Sequence, residues 1–203
     1  MKYFKKAFDP INLQHAKNIV LTPDEHQPDK FDEETGFMIA FLRDRALLDS
    51  DSRVLDFGCG MGRLSKKLID EFGCYVVGVD MSINMLLLAE KYVDDQERFE
   101  PRGQCNARDI DVALSVFVLQ HAEDPAKELE RIASSLKPGG YLVMVEGPRL
   151  VPIGADAEGY VIWHDDGLVI GDLAANYFQN IGWYDYPHRE GKKILSVWQR
   201  KEV

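Results

Sequence analysis

The 203-residue chain is short of positive charge: 24 lysines and arginines stand against 34 aspartates and glutamates, for a net charge of −10. That balance removes any general electrostatic pull toward phosphate backbones or anionic membrane surfaces. Nucleic acid is disfavoured as a partner and a small molecule favoured. Cysteine is scarce too. Cys59, Cys74 and Cys105 are odd in number and none stands in a C-x-x-C pair, so neither a disulfide framework nor a zinc site is expected. Reduced thiols suit a cytoplasmic location. No apolar run approaches the roughly 20 residues that span a bilayer, and the opening MKYFKKAFDPINL lacks the uninterrupted apolar core of a secretory signal. Internal repeats and low-complexity segments are lacking as well. What is present is a chain 45% hydrophobic and 10% aromatic, long enough to bury a core as one domain.

Residues 1–32 mix aromatics with Pro10, Pro23 and Pro28 and keep no period, which predicts an irregular or partly helical arm or lid. A single domain is expected over 33–203. Phe37, Ala40, Phe41, Leu47 and Leu48 predict an amphipathic helix from Glu33 to about Asp49–Ser52. Val54–Phe57 reads as a buried strand running into three glycines, then a helix carrying Leu64, Leu68 and Phe72 and stopped at Gly73. Tyr75–Val79 is the next strand, and Ser82 caps a helix with Ile83, Leu86, Leu87 and Ala89. The polar stretch 94–108 leads to a strand at Val112–Val116. Asp124-Pro125 starts a further helix that Lys137-Pro138-Gly139-Gly140 ends, and Tyr141–Glu146 is a strand. Residues 147–166 read as a long loop, Leu168–Ile181 as a helix stopped by Gly182, and Trp183–His188 with Ile194–Gln199 as an antiparallel pair about Arg189–Lys192. Strands alternating with helices predict an α/β fold with a mostly parallel sheet covered on both faces.

The chemistry concentrates in VLDFGCGMGRL. Asp56 precedes Gly58, Gly60 and Gly62, whose missing Cβ atoms permit a tight turn and let a nucleotide-like ligand approach the main chain. Asp80 ends the next strand, where open α/β sheets place a carboxylate for a ribose diol. The third glycine breaks the G-x-G-x-x-G spacing of a dinucleotide site, which disfavours a nicotinamide-dependent oxidoreductase. An acidic Asp56 beside the turn suits a cationic ligand group better than a pyrophosphate.

These residues resemble the class I S-adenosylmethionine-dependent methyltransferase family, whose first motif is an acidic residue followed by G-x-G-x-G. The resemblance runs on through VVGVDMS, DVALSVFVLQH and RIASSLKPGGYLVMVEG, and covers roughly residues 33–146. It implies a Rossmann-like, doubly wound, seven-stranded mostly parallel sheet with an antiparallel C-terminal strand. It also implies S-adenosylmethionine as cofactor and transfer of its methyl group, by in-line displacement, to a small-molecule acceptor. By position, Asp56 and the loop Gly58-Cys59-Gly60-Met61-Gly62 would hold the methionine portion, Asp80 the ribose hydroxyls, and Met81 would lie against the adenine. Phe117 and Gln120 would line the site near the methyl group or the methionine carboxylate. The segment that usually carries an adenine-binding Asp is shortened here, and Gln104 or Asn106 offers an amide oxygen in its place. That departure also motivates the alternative of a non-enzymatic, methyltransferase-like binding or regulatory protein.

Two residues stand out as catalytic candidates. His121 follows the Val112–Val116 strand at the ligand-binding edge, where it is either a group for proton transfer, since imidazole titrates near neutrality, or a loop histidine hydrogen-bonded to backbone. Glu146 ends the Tyr141–Glu146 strand on the same edge, where it serves an acceptor's amine, acts as a base, or simply faces loop amides. His164-Asp165-Asp166 is of metal-ligand type, but three adjacent residues rarely converge on one ion, so no metal is expected. Tyr3, Phe4, Tyr160 and Trp163 are aromatic candidates for an acceptor wall. No N/D-P-P-Y/F motif follows the Val112–Val116 strand, where Leu119-Gln120-His121-Ala122 stands instead, which disfavours methylation of nucleic-acid amino groups.

Overall fold

The computed structural model describes residues 7–20, 30–155, 157, 161–187 and 194–202. Tyr3, Phe4, Tyr160 and the turn about Arg189–Lys192 lie outside them. Helices α1 (Leu13–Val20) and α2 (Lys30–Asp44) precede a strand-helix alternation. It runs β1 (Arg53–Phe57), α3 (Arg63–Phe72), β2 (Tyr75–Val79), α4 (Ile83–Val93), β3 (Phe99–Arg102) and β4 (Ile110–Val116). A 3-10 turn at Leu119–His121, α5 (Pro125–Ser135), β5 (Leu136–Glu146), β6 (Leu150–Ala155), β7 (Val161–Asp165), α6 (Ile170–Ala174), β8 (Phe178–Asp185) and β9 (Ile194–Arg200) complete the chain. Seven strands form one sheet in the order β3-β2-β1-β4-β5-β9-β8, in which only β9 runs antiparallel to its neighbours.

The sheet is buried on both faces because successive residues of each strand go to opposite sides. Val54, Val76, Val112 and Val143 pack on one face against α2, α3 and α4, where Met38, Leu42, Leu64, Leu68, Ala89 and Val93 are buried. Leu55, Val77, Ala113 and Leu142 pack on the other against α5 and α6, through Leu129, Ile132, Ile170 and Ala174. Hence these strands read as continuous apolar runs. The caps follow the sequence: the Ser82 hydroxyl accepts from Met85 N at 3.1 Å, Asp124 accepts from Lys127 N at 3.0 Å, and Gly73 closes α3 in the left-handed region.

Three stretches after α4 depart from the sequence reading. The polar stretch 94–108 contains β3, short and only partly buried at the sheet edge, which weakens its apolar signal. The crossover from β3 to β4, residues 103–109, carries no helix; Cys105 and Ala107 fill part of the face that one would cover. Residues 147–166 are not a loop throughout, because β6 and β7 pair antiparallel as a separate two-stranded sheet. The helix expected over Leu168–Ile181 is confined to Ile170–Ala174, and from Phe178 the chain is already β8, paired with β9 around an irregularity at Asn180/Gly182. Helical spacing of a few apolar residues was outweighed there by sheet pairing. No helix among the described residues is long and apolar enough to cross a membrane.

Candidate functional site

The carboxyl ends of β1, β2, β4 and β5 converge on the turns that follow them, which is where open α/β sheets bind ligands. β1 delivers the glycine loop. Gly58 N and Cys59 N both donate to Val79 O, at 2.7 and 3.0 Å, and so fasten the loop to the end of β2. Gly58, Gly60 and Gly62 all have positive φ, but they are needed for different reasons. A Cβ on Gly58 would stand 2.3 Å from Val118 Cγ2, and one on Gly62 would stand 2.8 Å from Val93 Cγ2. Those two glycines make room for the protein itself. Only Gly60 faces a looser space, with Val20 Cγ2 of α1 and Met85 Sδ at 3.8 and 3.9 Å from the added atom. The Cys59 side chain is buried toward the sheet, its sulfur 3.0 Å from the position of a Cβ on Gly78, and burial pushes its thiol far up.

Asp80 links the two halves of the site. One carboxylate oxygen accepts from Gly60 N and the other from Ser82 N, both at 2.9 Å. Each oxygen has a second acceptor position, which matches a vicinal diol donating two hydroxyls. Burial raises its pKa, against the pull of the Ser82 and Gly60 amides. Asp56 is 4% exposed and accepts from Ser65 Oγ at 2.6 Å. Burial pushes it up to about 6, while the Ser65 hydroxyl and Arg63 act in the opposite direction. Met81 is 51% exposed beside Asp80. Gln104 and Asn106 are exposed beyond the end of β3, and the Asn106 carbonyl oxygen already accepts from Arg102 Nη1 at 2.9 Å.

After β4, Phe117 holds a left-handed conformation, φ 57°, that bulky residues rarely adopt. Its ring meets Tyr186 edge-on at 5.5 Å. The 3-10 turn then carries Gln120 and His121 against the end of β5. Glu146 accepts from Gln120 N at 3.1 Å and from Ser115 Oγ at 3.4 Å. The Gln120 side chain accepts from Gly147 N at 2.6 Å and reaches His121 Nε2 at 3.0 Å. His121 and Glu146 thus share one edge and are joined through Gln120. Burial pushes Glu146 up to about 8, so at neutral pH it is mostly protonated.

Two covers that sequence reading left loosely defined close on this edge. Phe8 of the arm lies 5.3 Å from the His121 ring and 6.2 Å from Trp163 of β7, which is itself 5.1 Å from His121. Beside Phe8, Asp9 accepts from the Ser82 hydroxyl at 2.7 Å, so the arm is tied to the N-cap of α4. Ala16 of α1 packs with Phe31, Met61 and Met85 in a small separate core over the glycine loop. Phe8, Asp9 and Ser65 escaped the sequence reading because each acts through a contact distant in the chain. His164, Asp165 and Asp166 do not converge: Asp165 accepts from Gly167 N, while Asp166 accepts from Leu168 N and pairs with Arg149 at 3.6 Å. A cleft of about 420 Å³ at the amino ends of the strands, bordered by Asp111 and Lys137, lies at the opposite end of the sheet.

Residues 25–202 match the profile of the methyltransferase domain family. A ubiquinone biosynthesis O-methyltransferase of Serratia proteamaculans is 34% identical over 100 residues, which are 45% of this chain and 41% of that protein. The chain thus spans less than half the length of such curated relatives. Among solved structures, the N-methyltransferase NodS from Bradyrhizobium japonicum, in complex with S-adenosylhomocysteine, has a TM-score of 0.66 at 13% identity, covering 99% of this chain and 98% of that one. An S-adenosylmethionine-dependent methyltransferase from Mesorhizobium loti has a TM-score of 0.58 at 19% identity, covering 77% and 95%. At these identities the two structures speak to the fold.

Proposed function

We propose that this chain, which belongs to the S-adenosylmethionine-dependent methyltransferase family, methylates a small-molecule acceptor at the carboxyl edge of its sheet. The observation that carries the reading is the Asp80 carboxylate bonded to Gly60 N, which sets a diol acceptor against the glycine loop. The residues fit the cofactor. Asp80 retains an acceptor position on each oxygen for the ribose hydroxyls, Gly60 leaves main chain approachable, and Met81 offers an apolar surface to the adenine. Asp56, with the Gly58–Gly62 loop, attracts the amino group, Cys59 acting through its backbone. Gln104 and Asn106 flank the adenine edge, Asn106 through the acceptor position that Arg102 does not use. Phe117 and Gln120 stand on the methyl side.

The bound cofactor supplies a methyl group already activated by a sulfonium. The protein's task is then to align donor and acceptor and to keep water out. The arm at 1–32 is read as a cover, supported by Val20 at Gly60 and Phe8 at His121. Glu146 is read as a support for the 3-10 turn, through its bonds from Gln120 N and Ser115 Oγ, ahead of a base: burial pushes its carboxyl up to about 8, so little of it is ionised at pH 7. A small-molecule acceptor is supported by the acidic charge and by a relative named for ubiquinone biosynthesis. A cytoplasmic setting is supported by three free cysteines. Isothermal titration with S-adenosylmethionine and S-adenosylhomocysteine tests the reading, and absence of binding at millimolar ligand would refute it.

A further inference from the structure

The arm touches both halves of the site, and one hydrogen bond stands between its two contacts. The buried Ser82 hydroxyl accepts from Met85 N and gives its proton to Asp9 at 2.7 Å, while Ser82 N donates to Asp80 at 2.9 Å. Ser82 therefore joins the arm to the carboxylate read as the ribose acceptor. On one side of Asp9, Phe8 stands 5.3 Å from the His121 ring and 6.2 Å from Trp163 of β7. On the other side, the buried Pro10 restricts the chain, and α1 follows with Asn12 accepting from His15 N at 2.8 Å as its cap. α1 buries Ala16 with Phe31, Met61 and Met85, and brings Val20 Cγ2 to 3.8 Å from a Cβ added at Gly60. Val20 thus stands over the space that Gly60 leaves open, and a cofactor reaching the main chain there has to pass the arm. All of these contacts are to the protein's own residues, so they hold the arm whether or not the cofactor is bound.

We propose that Asp9 is a positioning residue: bonded to Ser82, it holds residues 8–20 as one strap across the site, so that the cofactor exchanges only when that bond breaks and the Phe8 wall lifts with it. This rests on the methyltransferase reading of the same site and goes beyond it, because it couples the two halves through a single bond. α1 is roughly two turns of helix, too short and too regular to bend between Phe8 and Val20, so the two ends of the strap move together. An acceptor lying against Phe8 and Trp163 holds the strap down, and with it the cofactor beneath Val20, until the methylated product has left.

The test uses the full chain with Asp9→Ala, which removes the acceptor for Ser82, and Asp9→Asn, whose amide oxygen still accepts from the hydroxyl. Asp9 is exposed, so neither variant opens a cavity in the core. Hydrogen exchange without ligand reads the strap itself. Amides of Leu13–Val20 should exchange about tenfold faster in Asp9→Ala, the weight of one hydrogen bond to a charged group, with Asp9→Asn between it and the wild type. Stopped-flow mixing with S-adenosylhomocysteine, followed by tryptophan fluorescence with Trp163→Phe to identify that residue's signal, reads the exchange of ligand. Association and dissociation should both quicken, by about tenfold in Asp9→Ala and by less in Asp9→Asn. A residue that merely added a contact to the cover would speed dissociation and leave association alone. An unchanged association rate would therefore overturn the proposal, as would unchanged exchange in α1. If the wild type bound no S-adenosylhomocysteine, the methyltransferase reading would fall, and the exchange result would still decide whether Asp9 holds the strap.

Discussion

Glu146→Gln should make the protein's stability less dependent on pH, with the variant's advantage growing toward alkaline pH. Burial lifts this carboxyl from its ordinary 4.5 to about 8. The sign follows from linkage: between those values the folded chain keeps a proton that the unfolded chain has released, so stability falls as pH rises through that window. A gap of about 3.5 pH units at about 1.4 kcal/mol each sets a ceiling of about 5 kcal/mol. Glu146 as a residue is only half-buried, and local opening to solvent reduces that, so we expect about 2 kcal/mol to open between pH 5 and pH 8. Glutamine keeps an oxygen for Gln120 N and cannot ionise, so the variant lacks this term. Asp56 and Asp80 titrate with raised pKa values in both proteins and cancel in the comparison. The assay is urea unfolding of both chains at pH 5, 6, 7 and 8. Two stability curves that stay parallel would show that Glu146 is not held neutral, and would restore it as a candidate base.

Asp80→Ala should weaken S-adenosylhomocysteine binding by about 1–3 kcal/mol, because the diol loses its charged acceptors; an unchanged calorimetric affinity would rule out its ribose role. The glycines should separate by function. Gly58→Ala meets Val118 at 2.3 Å and should cost about 2–4 kcal/mol in thermal unfolding. Gly60→Ala, in looser space, should cost only about 1–2 kcal/mol of backbone strain yet lose more ligand affinity than stability; the reverse order would place the cofactor elsewhere. Ser65→Ala removes a hydroxyl that favours ionised Asp56. The acid limb of binding should therefore move to higher pH, with affinity at pH 6 falling more than at pH 8, and a uniform loss across pH would deny Asp56 its part in attracting the amino group.

The sheet and half of the site were legible because their signals are local. Val54–Phe57, Tyr75–Val79 and Tyr141–Glu146 are apolar runs that sit as strands, and the glycines, Asp80 and the Ser82 and Asp124 caps act on neighbours within a few residues or at the end of an adjacent strand. Helix α2, expected from Glu33 to about Asp49–Ser52, occupies Lys30–Asp44: the left-handed Ala46 ends it early, and Leu47 and Leu48, whose spacing suggested a further turn, pack on the core from the connection beyond it. The segment after β5 was illegible for a different reason. β6 and β7 stabilise each other and Phe178–Asp185 is held by β9, so their conformation depends on partners rather than on their own periodicity.

By itself the sequence determined an acidic α/β chain, a glycine turn after the first strand and a carboxylate after the second, because strand alternation and missing Cβ atoms are written residue by residue. Only the tertiary structure decided that two of the three glycines serve packing, that Asp56 leans on Ser65, and that Glu146 is held largely neutral at neutral pH. It also decided that Phe8, from a segment with no period of its own, reaches His121. These are matters of burial and of hydrogen bonds between distant residues. Both arise only when the chain has closed on itself and excluded the water that would otherwise satisfy each group alone.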